Sequence, residues 1–255
     1  MTVVGVLHPG EMGAAVAGAL RNRGETVLWA SAGRSAATAE RAQAAGLEDA
    51  GDIGELCRRC EVLLSICPPH AAVDVARAAS GFTGVYVDAN AIAPGTARTI
   101  AELQLRFVDG GIVGPPPHEP GTTRLYLSGD EAELIAELFA GTSVDARVVS
   151  AEPGAASALK AAYAGWTKGS AALLLTVREL ARAEGVEDAL LDEWRLSIPE
   201  LEEHLAGAER SARRKGWRWI GEMEEIAQSM AVHDLPTGFH EAAAEVFRRT
   251  AEPGS

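Results

Sequence analysis

The chain has 255 residues, 47% of them hydrophobic, enough for one large domain or two modest ones, each with its own core. A formal net charge of −13 argues against a partner held by phosphate neutralisation, because nucleic-acid binding rests on clustered Lys and Arg. The one basic run, Arg213-Arg214-Lys215 with Trp217 and Trp219 after it, is followed by Glu222, Glu224 and Glu225 and reads as a solvated helix face.

Val3–Leu7 is a short aliphatic run that reads as a strand, with no cleavable signal segment before it, and Ala14–Leu20 reads as a helix. Thr26–Ala30 gives a second strand, Ser35–Ala45 a helix stopped by Gly46, and Ile53–Arg59 a short helix. Cys57 and Cys60 form a CxxC near the end of that helix, but a zinc site needs about four ligands, so they read as small buried hydrophobes. With only three cysteines and no pairing framework, a cytoplasmic location is expected. The strand Val62–Ile66 is ended by Pro68-Pro69, and the alternation continues through helix Ala71–Ala79, strand Val85–Val87, helix Pro94–Leu105 and strand Phe107–Val108. Arg124–Leu127 and Val144–Val149 are further strands flanking the helix Glu131–Phe139.

From Gly154 to about Glu184 there is no strand signal, only Ala- and Leu-rich helical sequence closing at Gly185. Lys160, Lys168 and Arg178 interrupt it below membrane-spanning length. The boundary is placed near Glu152-Pro153-Gly154. The predicted fold is therefore an α/β Rossmann domain with a mostly parallel sheet over residues 1–152, followed by an all-α domain over residues 153–255. A helix of about 30 residues spans roughly 45 Å. Its apolar residues run nearly all the way round, which predicts cover by a second subunit in a homodimer.

The turn after the first strand reads Gly5-Val6-Leu7-His8-Pro9-Gly10-Glu11-Met12-Gly13. Here backbone amides and a helix N-terminus can meet a cofactor pyrophosphate, which requires glycine where a side chain would block the approach. Gly10 and Gly13 meet that need, while His8 stands where the first glycine of G-x-G-x-x-G is expected; an ordinary strand-to-helix turn is the other reading. The second strand runs into Ala30-Ser31-Ala32-Gly33-Arg34-Ser35, with no carboxylate to accept from a ribose 2′-hydroxyl. Arg34 with Ser31 and Ser35 offers a charged fork and two hydroxyls, suited to a 2′-phosphate and hence to NADP(H). The plainer alternative has Ser35 capping the next helix and Arg34 in solvent.

The basic residues number 23, yet only Lys160, Lys168 and Lys215 are lysines, and two of them fall on the long helix. A buried Lys can have its pKa lowered and then exchange a proton with a substrate hydroxyl, which Arg cannot do. Lys168 is displaced by about 80° around the helix and lies on the flank, whereas Tyr163 and Thr167 share the Lys160 face. Packing against the nucleotide domain is the alternative for Tyr163 and Trp166. His204, His233 and His240 lack metal-ligand spacing, and no metal is expected.

In their order these signatures resemble the β-hydroxyacid dehydrogenases, a superfamily that includes 6-phosphogluconate dehydrogenase and the imine reductases. Met12-Gly13 matches the end of the family's glycine loop, and Asp88-Ala89-Asn90-Ala91-Ile92-Ala93-Pro94 its Asp-x-Ser-Thr-x-x-Pro stretch. Asp109-Gly110-Gly111-Ile112-Val113-Gly114 looks like its Asp-Ala-Pro-Val-Ser-Gly substrate loop, with Gly121-Thr122 following. Gly154-Ala155-Ala156-Ser157-Ala158-Leu159-Lys160 is similar to its Gly-Ala-x-x-x-Lys helix start, which carries the catalytic lysine. The His-Pro-Gly turn and the helical second half, with Trp217-Arg218-Trp219 and Glu222–Ala227, resemble a 6-phosphogluconate-dehydrogenase-like branch. Among the chain's departures from the pattern, Asn90 and Val113 stand where the family has Ser, and Ala164 where it has Asn.

The resemblance implies an NADP(H)-dependent oxidoreductase moving hydride between nicotinamide and a small hydroxyacid or carbonyl substrate. Lys160 is then the general acid/base, with Asn90 and Tyr163 beside it. The cofactor set is His8, Pro9, Gly10, Glu11, Met12, Ser31, Arg34, Ser35, Cys67, Pro68 and Asn90; the substrate set is Asn90, Gly111, Val113, Tyr163 and Thr167. An imine reductase on the same scaffold is the alternative, although the lysine position is often Asp or Tyr there. A different class also stays open, a non-catalytic NADP(H) sensor or interaction protein on a borrowed fold.

Overall fold

Strands β1 (Val3–Val6), β2 (Thr26–Trp29), β4 (Val62–Ser65) and β5 (Val85–Asp88) are apolar at successive rather than alternate positions, and such strands need cover on both faces. In the computed structural model, which describes residues 1–251, they join β3 (Glu48–Asp49), β6 (Phe107–Val113), β7 (Thr123–Ser128) and β8 (Val144–Ser150). The sheet order is β3-β2-β1-β4-β5-β6-β7-β8, and every neighbouring pair is parallel except β6 and β7.

Each face has its own core. Val4, Val6, Val27, Trp29, Val62 and Leu64 pack with helices α1 (Glu11–Arg23), α2 (Ala36–Ala44) and α6 (Ala132–Leu138). Their neighbours in the strands, Leu28, Leu63 and Tyr86, pack with α3 (Ile53–Arg59), α4 (Ala72–Ala78) and α5 (Pro94–Ala101) on the other face. The strand order turns back between β1 and β4, and in a doubly wound sheet a ligand crevice opens beyond the C-terminal ends of the strands at that point.

The sheet differs from the sequence reading in detail. β3 is an additional two-residue edge strand, and α5 stops at Ala101. The stretch likened to a substrate loop is strand, since β6 continues to Val113; Gly110 and Gly111 have little strand propensity, but pairing with β7 holds them in line.

The chain divides into two compact units, one ending at Lys160 and the other starting at Ala161. Helix α7 (Ala155–Ala183) begins in the first unit, directly after Gly154, and runs on into the second. The second unit also contains α8 (Glu187–Ser197), α9 (Leu201–Ala231) and α10 (Gly238–Thr250). The buried residues of α9, Leu205, Ala208, Ala212, Gly216, Met223, Ile226 and Ala227, recur mostly at the spacings of one helix face. They meet Ala164, Leu175, Ala243 and Phe247 in a shared core. Phe247 is fully buried, with the Trp219 ring edge-on at 5.0 Å. Lys168 pairs with Glu222 and lies 5.7 Å from the centre of the Trp219 ring. Among the described residues, no helix is long and apolar enough to cross a membrane.

Truncating Phe247 to Ala leaves a void in this core. Phe247→Ala should cost about 3–5 kcal/mol in the urea unfolding of the helical unit. In hydrogen exchange the amides of α9 and α10 should lose protection before those of β1, β4 and β5.

Candidate functional site

At the end of β1 the chain turns through Leu7, His8, Pro9 and Gly10 into α1. A Cβ on Gly13 would lie 2.4 Å from the His8 carbonyl oxygen, so glycine is what lets the helix close on the turn. A Cβ on Gly10 would meet nothing within 4 Å, which leaves open space above the turn. Pro9 is buried, Met12 packs into the sheet core, and Glu11 is exposed in the first turn of α1.

His8 is half-buried, and burial together with the Arg34 charge brings its imidazole down to about 4. It is therefore neutral at physiological pH. Its Nδ1 and the Nε of Arg34 are both buried with no hydrogen-bond partner. Unsatisfied polar atoms in such a place call for a ligand group, and beside a guanidinium an anion suits best. Arg41 of α2 closes the same region, donating to the Pro9 carbonyl at 3.4 Å and to Thr38 Oγ1 at 3.2 Å. Ser35 Oγ accepts from Thr38 N at 3.3 Å and caps α2. Ser31 Oγ donates to the Gly51 carbonyl at 3.5 Å.

Beyond β4 and β5 lies a buried polar knot. Asn90 Nδ2 donates to Ser65 Oγ at 3.1 Å and to Asp88 Oδ2 at 2.8 Å, and its Oδ1 accepts from Cys67 N at 2.5 Å. Both amide hydrogens of Asn90 are thereby committed, and one lone pair of Oδ1 remains. Burial raises the Asp88 carboxyl to about 7, against the lowering effect of its bonds from Asn90, and the neighbouring Asp109 adds to the rise. Burial likewise pushes the Cys67 thiol up to about 11, so it stands as a neutral wall. Pro68 follows, exposed.

The third element is the start of α7. Asp109, fully buried on β6, accepts from Ser157 N at 2.9 Å, from Ser157 Oγ at 2.5 Å and from Ser128 Oγ at 3.0 Å. Ser128 Oγ in turn accepts from Ala156 N at 3.0 Å. Two residues along the strand, a Cβ on Gly111 would sit 2.8 Å from the Ala156 carbonyl oxygen and 2.9 Å from Lys160 Cβ. Gly111 thus lets the helix rest on the strand, with Lys160 half-buried at the contact. Val113 is buried in the sheet core, opposite Arg124. Tyr163 is 47% exposed, and the Thr167 hydroxyl donates to the Tyr163 carbonyl at 3.0 Å.

The sequence reading thus named the turn, Asn90, Gly111 and Lys160, but not the groups that hold them. Asp88, Asp109 and Ser157 stand in the quoted stretches with no role assigned to them, and Ser65 and Ser128 are outside those stretches. An Asp directly after a short apolar run and before Ala or Gly was the available signal at both Asp88 and Asp109.

Residues 181–250 match the family described as a domain of unknown function, DUF1932. An uncharacterized 28.5 kDa protein of Methanothermus fervidus is 26% identical over 228 residues, covering 86% of this chain and 88% of its own. Conserved protein MTH1747, of unknown function and structurally similar to 3-hydroxyacid dehydrogenases, superposes with a TM-score of 0.75 at 29% identity over 97% of this chain and 96% of that one. A 3-hydroxyisobutyrate dehydrogenase of Mycobacterium tuberculosis gives 0.71 at 18% identity, covering 98% and 93%. An imine reductase of Myxococcus stipitatus, solved with NADP+, gives a TM-score of 0.60 at 19% identity, covering 97% and 93%. The structural neighbours are thus the 3-hydroxyacid dehydrogenases and imine reductases that the sequence motifs resemble.

His8 also leaves a mark on stability. Its folded-state pKa of about 4 lies below the ordinary 6.5, so the unfolded chain takes up the proton first as pH falls. The stability is fully present above about 6.5 and is lost progressively towards about 4. In His8→Gln this loss should be absent: thermal melts across the window should show the wild type losing ground to the variant, and a constant difference would refute the assignment.

Proposed function

We propose that this chain is an NADP(H)-dependent dehydrogenase or reductase acting on a small hydroxyacid or carbonyl compound, with Lys160 as the group that gives and takes the proton. The observation that carries it is the pair of buried, unpartnered nitrogens, His8 Nδ1 and Arg34 Nε, beside the open space over Gly10. A dinucleotide phosphate fits there: the amides of the turn and the N-terminus of α1 suit the diphosphate, and Arg34, aided by Ser31 and Ser35, suits a 2′-phosphate. Pro9, Glu11, Met12, Cys67 and Pro68 complete the surroundings. When bound, the nicotinamide supplies or accepts the hydride.

The chain's own residues do the rest. Asn90 is fixed by Ser65, Asp88 and Cys67 N, so the lone pair left on Oδ1 has one direction. Lys160 protonates the oxygen of a carbonyl as it is reduced and removes the proton of a hydroxyl as it is oxidised. Gly111 keeps the strand surface flat beneath it, and Tyr163 and Thr167 offer hydroxyls further along α7. Imine reduction is the second reading, favoured by the accessible phenol of Tyr163. Trp166, Leu173 and Leu180, exposed at seven-residue spacing on α7, are assigned to an interface with a second copy.

Two substitutions separate binding from chemistry. Lys160→Met should lower kcat by about 10²–10⁴-fold while NADPH affinity stays nearly unchanged; near-normal turnover would remove Lys160 from the role, and its loss in Tyr163→Phe instead would favour imine chemistry. Arg34→Ala should weaken NADPH binding roughly ten- to a hundredfold and NADH far less, as measured by titration of cofactor fluorescence. Equal losses for both cofactors would show that Arg34 does not read the 2′-phosphate.

A further inference from the structure

Lys160 stands five residues, roughly one and a half turns, after Ala155 at the start of α7, and a helix terminus is where backbone order is weakest unless its free N–H groups are held. In α7 they are held in an unusual way. No residue directly preceding the helix caps it with a side chain; the amides of Ala156 and Ser157 are taken by Ser128 of β7 and Asp109 of β6, residues remote in sequence and fully buried. Ser157 adds its hydroxyl to the other oxygen of Asp109. The remaining amides of the turn find Glu152 O, at 3.3 Å from Ala155 N, and Gly154 O, at 2.9 Å from Ala158 N. A short side-chain cap would hold the helix to itself alone. This one ties it to two strands of the sheet, and Gly111 on the same strand lets the first turn press onto β6 up to Lys160 Cβ.

We infer that Asp109 is a positioning residue: through Ser157 and Ser128 it anchors the first turn of α7 on the sheet and so sets where the Lys160 ammonium stands. The inference rests on the reading of Lys160 as the proton-transfer group, but the anchoring itself can be measured without any turnover. Asp109 touches no reacting atom in this role. Its partners are the backbone and side chain of Ser157 and the hydroxyl of Ser128, and its neighbour across the strand pair is Asp88.

The chain's three lysines make the test direct. Reductive methylation with 13C-formaldehyde labels each of them, and Lys160→Met and Lys168→Arg identify their signals in a carbon–proton spectrum of the full chain. In Asp109→Asn the Lys160 signal should leave its native position and move towards that of a freely rotating methylated lysine. The Lys168 signal, held by Glu222, should stay in place and report that the helical unit is folded. Ser157→Ala, which removes one bond and keeps the amide, should move the Lys160 signal in the same direction by a smaller amount. A Lys160 signal unmoved in folded Asp109→Asn overturns the inference. If Asp109→Asn disturbs both signals, Ser157→Ala decides: movement of Lys160 alone supports the anchor, and no movement overturns it. Loss of turnover in Lys160→Met bears only on the function of the lysine, so the two readings fail separately.

Discussion

A carboxylate with no exposed surface persists inside a protein only where donors replace the water it has lost, and Asp109 has three of them. All three come from segments that must be assembled first: β7 must pair antiparallel with β6 to bring Ser128 alongside, and α7 must begin at Ala155 to aim the Ser157 amide inward. The polar contact therefore couples strand register to the starting point of a helix. Leaving any partner unmade would strand a buried polar group, at a cost above that of an ordinary surface bond.

The same logic extends one strand over. Asp88 stands in register with Asp109, and its carboxyl is raised to about 7 by burial and further by that neighbour. The protein tolerates this because Asn90 binds both oxygens through its amide groups. Away from this knot, at the end of α3, burial pushes the Cys60 thiol up to about 12 and raises Cys57 as well, so neither is a nucleophile at physiological pH. The polar groups beyond β4 and β5 are oxygen and nitrogen, with the neutral thiol of Cys67 beside them.

The alternation of strands and helices was legible because parallel strands buried on both faces leave continuous aliphatic runs such as Val62-Leu63-Leu64. The glycine turn and the long helix after Gly154 were legible for similar reasons of local chemistry. The sequence pattern cuts β6 short because Gly110-Gly111 looks like an interruption, whereas pairing with β7 holds it in line. The Asp88 and Asp109 networks were not legible, since they depend on which strands lie adjacent and on residues as far as 48 positions apart. Local pattern fixes elements; it carries little about register. Ser35 shows the converse, a residue with a local role, capping α2, that local pattern proposed as one of two alternatives.

The mooring of α7 uses two backbone amides and the Ser157 side chain. The group that the proposed function gives to the substrate, three residues on from Ser157, takes no part in those bonds. An arrangement of this kind separates the inheritance of a scaffold from the choice of its reagent. Where mooring and reagent are independent, a change of reaction needs few mutations, and each variant begins from a helix already in place.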